Sequence, residues 1–317
     1  MLSFLIKRLL TAMGMIIFVA SFVFLALYLV PGDPAEVLLA ADGGTPTQEA
    51  IEATRAKLGL DRPMLEQYVA YLGRIVSGDF GNSFADDEPV IDNIRQRLPR
   101  TLELIGAATV LAILIGLLLG TLSALWRGSL LDRVIGLWSS LAISIPVFVL
   151  GTLMVFVFAL TLQLVPAGGF TPFSVSPGQH LVQLLMPALS IAVGFSSIIA
   201  RMSRSTVLEM LQQDWVRTAR SKGLTERRVV VRHVVRNALG PVLTLTGLHM
   251  GSLLGGTVLV EYVFNWPGLS GLLVHAVERR DYPEVQGIVL IIATLFILLN
   301  LVVDLLYLAL DPRVQTR

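Results

Sequence analysis

The sequence predicts an all-α membrane protein with six transmembrane helices and a small helical external segment between the first two. Three observations predict it. The 317 residues are 54% apolar and only 15% charged, with a mean hydropathy of +0.74, whereas a soluble domain carries about a quarter charged residues. Six apolar windows punctuate the chain, each of about 20 residues, long enough as helix to cross roughly 30 Å of hydrocarbon. The basic residues are divided unevenly between the segments joining those windows.

The windows run approximately Leu9–Val30, Leu102–Leu125, Val134–Leu160, Gln183–Ala200, Ala238–Val260 and Gly287–Leu308. Lys7 and Arg8 ahead of the first resemble the start of a signal peptide. The apolar run that follows is too long for one, and no clean cleavage site comes at once. In the third window, "ISIPVFVLG" places Pro146 where it would kink the helix. The fourth is diluted by Pro187, Ser190, Gly194, Ser196 and Ser197, small residues of the kind found where membrane helices pack closely.

Charge sets the orientation. With the amino terminus inside, the inner segments hold Lys7 and Arg8, Arg127 and Arg133, nine basic residues in Arg201–Arg236, then Arg313 and Arg317: 15 of the 24. Seven others lie between Arg55 and Arg100, in a long loop of the kind that weighs little in topology. Both termini are therefore placed in the cytoplasm. Cysteine is absent, which excludes a disulfide framework and a cysteine-based metal site.

The external segment, Pro31 to Arg100, carries helical patterning. "TQEAIEATRAKLG" ends at Gly59 as a C′ glycine, and "RPMLEQYVAYLGRIVSG" opens with Pro63 near N1 and stops around Gly78. "GDFGNSF" and "DDEP" read as turns. The second outer loop, "VPAGGFTPFSVSPGQH", has no basic residue. The third, "EYVFNWPGLSGLLVHAVERRDYPEVQ", is apolar enough to fold back against the external mouth of the bundle.

The most distinctive stretch is "DWVRTARSKGLTERRVVVRHVVRN", Asp214–Asn237, on the cytoplasmic side. Val207–Ala219 reads as helix, with Gly223 as its C′ stop. Thr225 is placed to cap a second helix with Glu226 in its first turn. Val229, Val230, Val234 and Val235 give that helix an apolar side before the chain re-enters the membrane at Ala238, with Pro241 soon after. From the residues alone, this hairpin is either a topogenic basic loop on anionic headgroups or a docking element for a cytoplasmic partner. No aromatic interleaving accompanies it, so nucleic acid is not expected.

The stretch resembles the EAA loop of the membrane subunits of ABC importers, in the form used by the dipeptide/oligopeptide permease family. The matching positions are Arg217, Thr218, Ala219 and Gly223. The third position and the glycine fit the general motif, the first two do not, and "VRTARSKGL" is similar to the peptide-type version. The same order of motifs continues through "PGDP" (Pro31–Pro34), "LGLDRP" (Leu58–Pro63), "GDFGNSF" (Gly78–Phe84), "NIRQRLPRTLEL" (Asn93–Leu104), "GGTVLVEYVFNWPGLSGLL" (Gly255–Leu273), "RDYPEVQG" (Arg280–Gly287) and "LDPRV" (Leu310–Val314).

The resemblance implies the type I ABC importer permease fold. Residues 1–96 would form the first helix and external segment, 97–310 the permease core with its coupling loop at about 201–237, and 311–317 a cytoplasmic tail. It implies coupling to ATPase subunits through Arg217, Thr218, Ala219 and Gly223, with Asp214, Arg220 and Lys222 as flanking contacts. The partners implied are a second homologous permease subunit, two cytoplasmic ABC ATPase subunits or domains, and an external substrate-binding protein, in the cytoplasmic (inner) membrane of a bacterium or archaeon. The implied cargo is di- or oligopeptides, with a nickel complex, glutathione or a sugar as alternatives. No residue is assigned to substrate contact, and no cofactor, metal or catalytic residue is implied.

The residues test part of this independently. A P-loop needs lysine directly after glycine, yet Lys7, Lys57 and Lys222 follow Ile6, Ala56 and Ser221. The chain is therefore not expected to be an enzyme, and its energy must come from an ATPase partner or an ion gradient. The gradient-driven alternative, a secondary transporter, would use ionisable groups within spans. The candidates are His249, read as packed between helices, Asp304 and Asn300 in the inner half of the last span, and Glu103, which needs no special role. A membrane hydrolase is not expected, since neither H-E-x-x-H nor a serine–histidine pairing is present.

Overall fold

The computed structural model describes residues 2–29, 32–41 and 46–310, with 2–5, 27, 34, 37, 41, 252, 254 and 303–310 as backbone only. Pro31 of "PGDP", the side chain of Asp304, the residues of "LDPRV" after Leu310 and the tail 311–317 lie outside the described residues. The helices, in chain order, are α1 (Leu2–Tyr28), α2 (Pro34–Ala41), α3 (Gln48–Lys57), α4 (Met64–Ser77), α5 (Val90–Leu125), α6 (Leu130–Ser144), α7 (Val147–Met154), α8 (Pro177–Leu211), α9 (Asp214–Ser221), α10 (Glu226–Arg228), α11 (Arg236–Gly256), α12 (Val258–Val263), α13 (Leu269–Glu278) and α14 (Tyr282–Leu310). Two π-helical stretches, Val155–Thr161 and Val229–Val235, extend α7 and join α10 to α11.

Among the described residues, four helices are long and apolar enough to cross a membrane, five if the bent pair α6–α7 is one span. The bend follows from Pro146. The residue before a proline is biased away from helical geometry; α5, α8 and α11 continue through Pro99, Pro187 and Pro241, but here Ile145 is extended at φ −86°, ψ 123°. The two arms meet at 104°, a break rather than the kink expected. Where the fifth span is predicted, the structure has α11, a helix of 21 residues with no charged residue after Arg236. The helices of the second and fourth predicted spans, α5 and α8, outrun their apolar windows, at 36 and 35 residues.

Packing divides the chain into two compact units. The first comprises residues 2–101 and 267–302. Both predicted stops in the external segment hold: Gly59 at φ +68° and Gly78 at φ +74° end α3 and α4 in left-handed geometry, which glycine adopts without a Cβ clash. The α4 face seats Tyr71 against Phe24 of α1 at 5.5 Å between ring centroids, and burial pushes the Tyr71 phenol up to about 12. The third outer loop does fold back: α13 buries Leu269 against Val90, Ile94 and Ile288. The buried Asp281 carboxylate accepts from Ser83 Oγ at 2.6 Å and from the Ala85 amide at 3.1 Å, tying the loop after α4 to the start of α14.

The second unit comprises residues 102–266 and 303–310. Its centre is the crossing of α5 and α8. A Cβ at Gly120 would lie 2.4 Å from the Ala200 carbonyl oxygen, and one at Gly116 would lie 2.6 Å from the Ile199 side chain. The two glycines are four residues apart, the spacing that puts both on one helix face and lets backbones approach closely. The α6 helix is tied to the same pair, because Asp132 accepts two bonds of 2.9 Å from Arg204 and one from Ser123.

Candidate functional site

The hairpin after α8 is built from local rules first. The predicted single helix Val207–Ala219 is instead two, because α8 ends at Leu211 and Gln213 turns extended (φ −71°, ψ 146°) ahead of α9. Asp214 sits in the first turn of α9 and Arg220 in the last, each at the end of the helix dipole that favours its charge. Gly223, at φ +76°, closes the helix. Its amide donates to the Arg220 carbonyl at 2.9 Å, and the Leu224 amide reaches the Ala219 carbonyl at 3.4 Å. This is the paired-bond stop that needs a left-handed residue.

Packing then fixes the hairpin. Val216 and Ala219, three residues apart on α9, are buried with Val207 of α8, Val229, Val234 and Ala238, and Leu224 packs against them. The opposite side of α9 faces outward. Of the seven residues predicted to couple, Asp214, Arg217, Thr218, Arg220, Lys222 and Gly223 are exposed and brought together on one short projection, while Ala219 is buried and seats the helix.

Thr225 departs from expectation. Its backbone takes the capping conformation, but its side chain makes no capping hydrogen bond. Glu226 is engaged elsewhere, accepting from Arg220 Nη2 at 2.6 Å and Nε at 3.1 Å. Those hydrogen bonds hold the Glu226 carboxyl below the usual carboxylate range and raise the Arg220 guanidinium above its ordinary value. Beyond this pair the chain widens into the π-helical turn Val229–Val235, burying Val229, Val230 and Val234. No sequence signal announced it.

Comparison with known proteins gives the projection its context. The family model "Binding-protein-dependent transport system inner membrane component" matches residues 112–316, and the model of the corresponding N-terminal region matches residues 1–105. The chain belongs to that family. It is an ABC importer permease of the inner membrane that crosses it more than once, and so a subunit of a transport complex whose ATPase and substrate-binding protein are other components. The permease is 42% identical over 320 residues to a protein named as a peptide permease in Brucella suis biovar 1 (strain 1330), with 99% of both chains covered. It is 40% identical over 315 residues to the glutathione transport system permease protein GsiC of Escherichia coli (strain K12), again over 99% of both.

Two solved structures share its fold. An inward-facing methionine ABC transporter, MetNI, matches with a TM-score of 0.56 at 18% identity, over 71% of this permease and 99% of that chain. An amino acid ABC transporter crystallised with histidines matches with a TM-score of 0.51 at 16% identity, over 68% and 93%.

The residues weighed for a gradient-driven mechanism fall differently from expectation in one case. His249 is packed as predicted, its ring 5.7 Å from that of Phe195. Glu103, expected to need no role, binds the buried His180: Nε2 lies 2.8 Å from Glu103 Oε1, while Nδ1 lies 2.8 Å from the Thr171 carbonyl. A carbonyl only accepts, so Nδ1 carries a proton. Phe170, Phe173 and Trp266 surround the imidazole edge-on at 5.6–5.7 Å. The two partners are 77 positions apart, and sequence alone offered nothing to join them.

Proposed function

We propose that this permease translocates di- or oligopeptides through a pore shared with a second homologous permease subunit. Two cytoplasmic ABC ATPase subunits or domains would grip α9, and an external substrate-binding protein would deliver cargo on the opposite side. In this reading both termini are cytoplasmic and α11 is the remaining span, its Thr246 and His249 turned toward neighbouring helices. In the same reading the chain divides into 1–96, 97–310 with the coupling loop at about 201–237, and a cytoplasmic tail at 311–317.

The observation that carries the coupling reading is the shape of the hairpin. A loop that only touches headgroups needs basic charge. This one has a buried apolar seat, Val216 and Ala219, a left-handed stop at Gly223 and a bidentate ion pair across the turn. Such a projection transmits a push from a partner without buckling. Asp214, Arg217, Thr218, Arg220 and Lys222 are the residues offered to the ATPase groove, with Ala219 and Gly223 holding their register.

Peptide cargo is supported by the Brucella relative, and the GsiC relative supports glutathione, itself a small peptide, as the second reading. Both are tested together. The tagged permease should co-purify with ABC ATPase subunits, and uptake in its host should be competed by di- and tripeptides. Uptake that persists without those ATPases and follows a proton gradient would refute the coupling reading. Competition by glutathione alone would select the second cargo.

A further inference from the structure

Within the unit of residues 2–101 and 267–302 lies a cavity of about 770 Å³, a size suited to a small ligand. Its walls come from the end of α1 (Phe24 and Tyr28), the turn from α3 into α4, and the first turn of α14. Four cations line it: Arg55, Lys57, Arg62 and Arg74. Asp33 is the one carboxylate among the lining residues, and it is bound by Arg55. Lys57, Arg62 and Arg74 have no ion-pair partner among the described residues, so the cavity carries an uncompensated positive charge.

A second, independent feature points the same way. Tyr71 and Tyr282, both lining residues, carry buried hydroxyls with no hydrogen-bond partner among the described residues. Tyr71 is only 5% exposed. A buried phenol donor is ordinarily satisfied, so two of them beside three free cations call for a ligand rich in acceptor oxygens and negative in charge. Phosphate meets both demands, offering several oxygens to arginine and phenol donors at once.

We propose that this cavity binds the phosphate of an anionic phospholipid headgroup. Free inorganic phosphate has the same chemistry, but the walls favour the lipid. Phe24, Tyr28 and Tyr282 sit at the ends of two membrane-crossing helices, the level at which aromatic side chains meet headgroups. The inference rests on the membrane reading of α1 and α14, and not on the cargo or on ATPase coupling.

The test is native mass spectrometry of the full-length chain in detergent, titrated with dioctanoyl phosphatidylglycerol, dioctanoyl phosphatidylcholine and inorganic phosphate. The glycerol lipid should be retained at least about tenfold better than the choline lipid, since its headgroup keeps the net charge. Arg62→Gln combined with Arg74→Gln should lower that retention about tenfold. Tyr71→Phe should lower it too, while leaving the melting temperature in lipid-free detergent unchanged or higher, because it removes an unsatisfied donor. If the double variant fails to fold, Lys57→Gln at an exposed position carries the same comparison. Equal retention of the two lipids, or equal retention by variant and parent, overturns the site. Displacement of the lipid by equimolar inorganic phosphate overturns the lipid assignment. Either result with transport intact leaves the permease reading standing.

Discussion

Arg220 closes on Glu226 across the turn at Gly223, with two hydrogen bonds of 2.6 and 3.1 Å between one guanidinium and one carboxylate. The pair spans six residues and latches the end of α9 to the start of α10. The Glu226 carboxyl is held below its unfolded value, about 4.3, chiefly by these hydrogen bonds. Its stabilisation is therefore complete above that value and is lost as pH falls through the lower folded value. Hydrogen exchange at the Gly223 and Leu224 amides, corrected for intrinsic rates, should stay constant from pH 7 to about 5 and accelerate below about 4. Glu226→Gln should show the accelerated rate at every pH. Both side chains are about half exposed, so the effect should be local and should leave global melting unchanged.

Gly223 has nothing within 4 Å of where a Cβ would stand, yet its φ is +76°. Substitution there costs backbone strain and no clash, about 1–2 kcal/mol for a residue with a Cβ. Gly223→Val should preserve membrane insertion while sharply reducing co-purification with the ATPase. Gly223→Asn, which tolerates left-handed geometry better, should retain most of it. Equal loss in both variants would point to the glycine surface and away from the turn.

Gly120 presents the opposite case. Its backbone is ordinary helix, but an added methyl meets the Ala200 carbonyl oxygen at 2.4 Å. Gly120→Val should force α5 from α8 and cost about 1–3 kcal/mol, the usual range for overpacking. Gly106 on the same helix has nothing within 4 Å, and Gly106→Ala should leave the melting temperature in detergent within a degree or so of the parent. A similar loss from both substitutions would mean that helix propensity, and not the crossing, sets stability here.

The buried His180 depends on Glu103. Glu103→Gln removes the carboxylate that meets Nε2, and His180→Ala leaves the Thr171 carbonyl without its Nδ1 partner. Each should destabilise by about 1–3 kcal/mol, measured as thermal unfolding in detergent. Their double variant should cost less than the sum, because the same hydrogen bond is lost in both. Strict additivity would show that the 2.8 Å contact contributes nothing.

The sequence by itself determined the membrane class, the positions of most spans, a bend at Pro146 though not its size, the helix stops at Gly59, Gly78 and Gly223, and the family. These rest on signals carried by neighbouring residues: apolar run length, the φ a glycine permits, the clash a proline imposes. Only the tertiary structure decided that α5 and α8 run well beyond their apolar windows, that Ala219 turns inward while its neighbours face out, that Glu226 latches Arg220, and that Glu103 meets His180. Those outcomes depend on pairings between side chains that are distant in the chain or on opposite sides of a turn. A pairing of that kind leaves no periodicity in either segment alone, so it becomes visible only when packing brings the two surfaces together.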